Sequence, residues 1–144
     1  MADALILARA LADPTSLALD TDWAGLVTMA RAEQLLGTLA WRLHGLPLPE
    51  DVALLLSDAR AAAENGRRTA LWEAEMARRA LAPLGVPVVL LKGTAFVAAG
   101  LAAGQGRSIG DLDILVPRES MEAVEAALIA AGWEWVKPDP YDDA

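Results

Sequence analysis

The sequence contains no cysteine, one histidine, one phenylalanine, one tyrosine and only two lysines in 144 residues. Without cysteine there are no disulfides, no thiolate metal ligands and no cysteine nucleophile. A single histidine, His44, rules out a two-histidine metal site, and its place near a predicted helix C-terminus suits ordinary capping. The shortage of aromatic and β-branched residues argues against an all-β fold. Instead, Ala (31) and Leu (24) dominate, and both favour helix. Acidic residues outnumber basic ones, 20 to 12, for a net charge of −8. That balance disfavours bulk binding to nucleic acid, which needs clustered Lys and Arg. It leaves room for a polyanion held through a metal ion, because the metal supplies the positive charge.

Residues 1–12 superficially resemble a secretory leader. Asp3 as the first charge, the lack of a basic start and Arg9 within the apolar run argue instead for an amphipathic helix. The apolar stretch 86–103 contains Pro87, Lys92 and several glycines, so it is not expected to span a membrane. A cytoplasmic location is expected.

Apolar spacing predicts helices over 3–12, 23–44 and about 49–82, the last bent or broken at Gly66. Asp20 and Asp22 offer N-caps for the second helix, and Pro83 with Gly85 ends the third. Beyond Val86 the character changes. The run 86–91 is continuously apolar and of strand length. A short helix over about 93–101, a glycine-rich loop, a strand over 111–116, a helix over 119–131 capped by Gly132, and a strand over 133–136 complete the pattern. The expected fold class is α+β: a helical region, 1–84, then a small β-α-β-α-β core, 85–137, then a tail, 138–144.

Asp111 and Asp113 stand two apart on the predicted second strand, so both carboxylates should leave the same face. Such a pair repels itself unless a cation sits between. Hard carboxylate oxygens beside a phosphate ligand suit Mg²⁺. An isolated Asp-x-Asp also occurs in solvated turns, so its surroundings matter. Upstream, the first strand runs into Lys92, Gly93 and Thr94 and then a helix, which presents backbone N–H groups and the positive helix end to an anion. The loop before the aspartates carries Arg107 and Ser108. Lys92 read alone is a strand-end lysine, and Arg107 read alone a loop surface charge; together they surround one mouth.

Leu90-Leu91-Lys92-Gly93-Thr94-Ala95-Phe96, followed by Gly106-Arg107-Ser108-Ile109-Gly110-Asp111-Leu112-Asp113-Ile114-Leu115-Val116-Pro117, resembles the core of the nucleotidyltransferase superfamily related to DNA polymerase β. It is similar, more narrowly, to a group of uncharacterised bacterial nucleotidyltransferase-like proteins. The specific match covers about 86–136. The resemblance implies Mg²⁺-dependent transfer of a nucleotidyl group from an NTP to an acceptor. It assigns Gly93 and Thr94 to the phosphate grip and Asp111 and Asp113 to the metal, while Lys92, Arg107 and Ser108 serve the phosphates. Lys-Gly-Thr departs from the Gly-Ser pair usual in that superfamily, although Thr keeps the hydroxyl.

The superfamily also uses a third carboxylate on a later strand. Glu134, Asp139, Asp142 and Asp143 are the remaining choices. The expectation is a chain one strand short of a complete site, with the missing part supplying that carboxylate and the acceptor pocket. The alternative is a nucleotide-binding or interaction module on the same fold without turnover. The five tryptophans are expected in the core or at an interface, and the long helices offer a surface for self-association. Arg67, Arg68, Arg78 and Arg79 alternate with Glu64, Glu73 and Glu75, as on a solvated helix face.

Overall fold

A computed structural model describes residues 4–136. Six α-helices appear among them: α1 (Ala4–Ala12), α2 (Trp23–Ala32), α3 (Leu36–Arg42), α4 (Glu50–Leu81), α5 (Lys92–Ala98) and α6 (Met121–Ala130). Two short strands, β1 (Val89–Leu90) and β2 (Ile114–Leu115), pair antiparallel. The fold is mostly helical with a small sheet, compatible with α+β.

The predicted helix 23–44 is two helices. Asp22 caps α2 through its side chain, which accepts from Gly25 N at 3.0 Å. The break comes at Gln34, whose φ is +57°. Leu35 N donates to Ala30 O and Gln34 N to Arg31 O, the paired bonds of a Schellman ending. Neither Gly nor Pro marks the spot, so apolar periodicity runs through it unbroken. Burial of Leu26, Ala30, Leu39, Ala40 and Leu43 on both sides outweighs the cost of a left-handed glutamine.

The predicted break at Gly66 does not occur. α4 is continuous for 32 residues, about 48 Å at 1.5 Å per residue. Its first turns join Val52 and Leu56 to a core with Leu7 and Ala10 of α1, Leu26 and Ala30 of α2, and Leu39 and Ala40 of α3. Its C-terminal half, with Ala70, Ala77 and Leu81 buried, packs against α5 and α6. α4 therefore carries packing from both halves of the chain.

The predicted β-α-β-α-β core is reduced in this structure. The strands span two residues each rather than 86–91 and 111–116, and 133–136 forms no strand. The apolar run at 86–91 is split by Pro87, which donates no hydrogen bond. After α6, Gly132 takes φ +105° and Trp133 N donates to Leu128 O, so the chain turns back along the helix end. Gly132 thus ends α6 as predicted. Asp139, Asp142, Asp143 and the tail 138–144 lie outside the described residues, as does residue 3 of the predicted first helix. No helix of the described residues is long and apolar enough to cross a membrane.

Candidate functional site

The two strands pair Val89 with Leu115 and Leu90 with Ile114. Leu91 N donates to Asp113 O at 2.9 Å, so the pairing continues one step past the assigned strands. Residues opposite one another share a face of a sheet, and neighbours alternate. Leu90 and Ile114 look inward onto Leu71, Ala74 and Leu81 of α4 across a cavity of about 490 Å³. Val89 and Leu115 look outward, 52% and 58% exposed, and Asp113 belongs to this outward set.

Immediately after β1 the backbone takes a left-handed residue. Lys92 has φ +53°, a conformation that costs a non-glycine residue about 1–2 kcal/mol. α5 starts there. Lys92 Nζ lies 3.2 Å from Asp113 Oδ1. The Lys92 side chain is 71% exposed and that of Asp113 35%, so the pair stands in solvent and its own strength is small. Its value is positional: an ammonium and a carboxylate face each other at the helix start.

Thr94 is the one buried polar residue of the described core, at 1% exposure. Its hydroxyl points to Asp111 O at 3.4 Å, a long contact. Thr94 therefore ties α5 to the segment entering β2, and its oxygen is turned away from solvent. Asp111 itself is exposed.

Arg107 reaches the same helix start from the loop. A Cβ placed on Gly93 would lie 3.2 Å from Arg107 Nε and 3.7 Å from its Cδ. Glycine at 93 thus makes room for the arginine. Farther along, Arg107 Cζ sits 5.4 Å from the centroid of the Phe96 ring, within cation–π range. Ser108 is exposed and, with Arg107, lines a cavity of about 250 Å³ against Gly37 of α3 and Ala59 and Ala63 of α4.

The loop is held by backbone-to-backbone contact. A Cβ on Gly37 would collide with Gly106 O, and one on Gly106 with Gly37 O. Gly104, buried, lies so close to α5 that its Cβ would meet Val97 N at 3.0 Å and Phe96 O at 3.1 Å. The glycines that look like a flexible loop in the sequence are contact points.

Lys92, Gly93, Arg107 and Asp113 therefore meet at the start of α5, with Asp111 joined to it through the Thr94 hydroxyl. Glu134 lies elsewhere: it lines a cavity of about 790 Å³ with Trp72, Met76 and Arg79. Among the described residues no three acidic, His or Cys side chains gather as a metal-holding cluster. A separate charge cluster lies on α4, on the inner side of the sheet with Leu90 and Ile114. Hydrogen bonds from Arg78, then Arg79, hold the Glu75 carboxyl down at about 2. Sequence reasoning missed Phe96 and Gly37. Phe96 stands three residues after Gly93 and so on the same helix face, a signal that was available; Gly37 gives none.

No curated protein and no solved structure matches the chain. A family model described as "Uncharacterised nucleotidyltransferase" matches residues 20–144, most of its length and all of the site just described. The chain belongs to that family of uncharacterised nucleotidyltransferases.

Proposed function

We infer that the chain binds a nucleoside triphosphate at the start of α5 and transfers its nucleotidyl group to an acceptor, with Mg²⁺ held by Asp111 and Asp113. The observation that carries this reading is the meeting of Lys92 Nζ, Asp113 Oδ1 and the Arg107 side chain around Gly93. Two cationic side chains, from α5 and the loop, and one carboxylate, from the segment entering β2, are drawn to the same helix start.

The donor set suits the metal. Asp111 and Asp113 offer hard oxygens, and Mg²⁺ is ordinarily held by one or two carboxylates together with substrate phosphates. Held by these carboxylates, Mg²⁺ would supply positive charge against the negative charge that builds on the phosphoryl oxygens during transfer. The chain's own groups do the rest. Lys92 sets its ammonium beside Asp113, where it would also meet a phosphate oxygen. Arg107 offers its guanidinium to the same phosphates. Gly93 leaves the room in which Arg107 reaches the helix start. Thr94 turns its buried hydroxyl to Asp111 O at 3.4 Å, on the backbone that presents the carboxylate.

The test is calorimetric titration of Mg²⁺ with each NTP into the full chain and into the double variant Asp111→Ala/Asp113→Ala. Binding by the first and at least tenfold weaker binding by the second is expected. Equal affinities would overturn the assignment of the aspartates. A second reading, nucleotide binding without turnover, is favoured by the position of Glu134 against α4, where it is grouped with Trp72 and Met76 rather than with Asp111 and Asp113. Pyrophosphate release with a labelled acceptor separates the two: release defeats the non-catalytic reading.

A further inference from the structure

The loop that delivers Arg107 is held against α5 at Phe96 and Val97. Leu101 N donates to Phe96 O at 2.9 Å, and Gly104 lies 3.1 Å, measured from its would-be Cβ, from the same carbonyl. Three residues later the Arg107 side chain crosses Gly93 and ends over the Phe96 ring. Among the described residues no carboxylate pairs with Arg107. Its charge is therefore met on one side by an aromatic face and open on the other. An exposed arginine ordinarily samples many rotamers and loses that freedom on binding. A cation–π contact spends none of the guanidinium's N–H donors on another acceptor, so they stay available to a ligand.

We propose that Phe96, the single phenylalanine of the chain, is a positioning residue: its ring, 5.4 Å from Arg107 Cζ, keeps the guanidinium beside Gly93, where its N–H donors serve a polyphosphate. The identity of the ligand rests on the nucleotidyltransferase reading above; the stack itself does not. Phe96 touches no ligand in this scheme. It acts by shortening the set of conformations open to Arg107 before binding, so its loss lowers affinity without removing a contact.

The experiment follows the Arg107 Nε–Hε signal in ¹H–¹⁵N spectra of the full chain, assigned with Arg107→Lys, and titrates inorganic tripolyphosphate into wild type, Phe96→Leu, Phe96→Trp and Arg107→Lys. The ring should shift the Hε signal of wild type; Phe96→Leu should abolish that shift and Phe96→Trp restore it. Tripolyphosphate affinity should fall about two- to fivefold in Phe96→Leu, the equivalent of one exposed cation–π contact, and return in Phe96→Trp. In the double variant Phe96→Leu/Arg107→Lys the loss should equal that of Arg107→Lys alone. An Hε signal unmoved by Phe96→Leu overturns the positioning role, whatever the protein binds. A ring-shifted Hε signal in a protein that binds no tripolyphosphate keeps the stack but overturns both its phosphate purpose and the nucleotide reading. Losses that simply add in the double variant show Phe96 acting apart from Arg107 and also overturn the proposal.

Discussion

Lys92 reaches back across the β1–β2 pairing to place its ammonium 3.2 Å from Asp113 Oδ1, from a backbone held at φ +53°. Left-handed lysine is unfavourable, and the exposed ion pair returns little. A residue kept in such a conformation by its surroundings is a mark of a working position. Lys92→Gly should therefore leave stability unchanged or raise it by up to about 1 kcal/mol, since glycine accepts that φ. The same variant should weaken NTP binding by roughly tenfold, the scale of a charge-assisted hydrogen bond. Thermal melts and calorimetry together check this; a large stability loss with intact binding would reverse the assignment.

Gly37→Ala should destabilise the protein by about 1–3 kcal/mol, the usual cost of forcing atoms into a packed contact. Its new methyl would meet the Gly106 carbonyl, a backbone atom with no rotamer to give. Gly66→Ala is the control, because nothing lies within 4 Å of its would-be Cβ and it sits inside α4. That variant should gain a few tenths of a kcal/mol to about 1 kcal/mol from helix propensity. Equal melting temperatures for the two variants would contradict the close approach.

Thr94→Val keeps the buried shape and removes the hydroxyl that points to Asp111 O. A stability loss near 1 kcal/mol is expected, with a fall in NTP affinity because the Asp111 segment is no longer tied to α5. Thr94→Ser should retain most of the affinity. If Thr94→Val binds NTP as wild type does, the hydroxyl has no part in presenting Asp111.

The Glu75 carboxyl is lowered from 4.5 to about 2 by Arg78 and Arg79. A lowered carboxylate stabilises the fold above the unfolded value, and that contribution disappears as pH falls through the folded value. Glu75→Gln should therefore melt below wild type at neutral pH, with the difference shrinking between 4.5 and about 2. The group is exposed, so the gap should be small and should shrink further in high salt. A difference that grows on acidification would contradict the pairing.

Part of the candidate site was legible because its residues lie in two short segments, 90–96 and 106–117. Lys92, Gly93, Arg107 and Asp113 do converge, and the helix after β1 begins where its first residues predict. The fold around them was less legible for identifiable reasons. The α2–α3 break depends on Gln34 adopting a conformation that only tertiary burial favours. The strands are short because Pro87 and the chain reversal at Gly132 limit pairing, while the apolar composition of 86–91 and 133–136 still reads as strand. Gly66 suggests a bend or break, yet α4 is continuous through it. The loop glycines at 104 and 106 read as freedom and turn out to be points of close contact.

α4 also decides how the molecule comes apart. Its first turns complete the core of α1, α2 and α3, and its last turns form the floor under α5, α6 and the two strands. A cut at 84/85 would leave the first fragment with Ala70, Ala77 and Leu81 open to water and the second with nothing to fold against. Loosening at either end is thus felt at the other, and amide hydrogens of α1 and α6 should exchange through a shared opening. The long helix joins two compositionally different halves through packing at both of its ends.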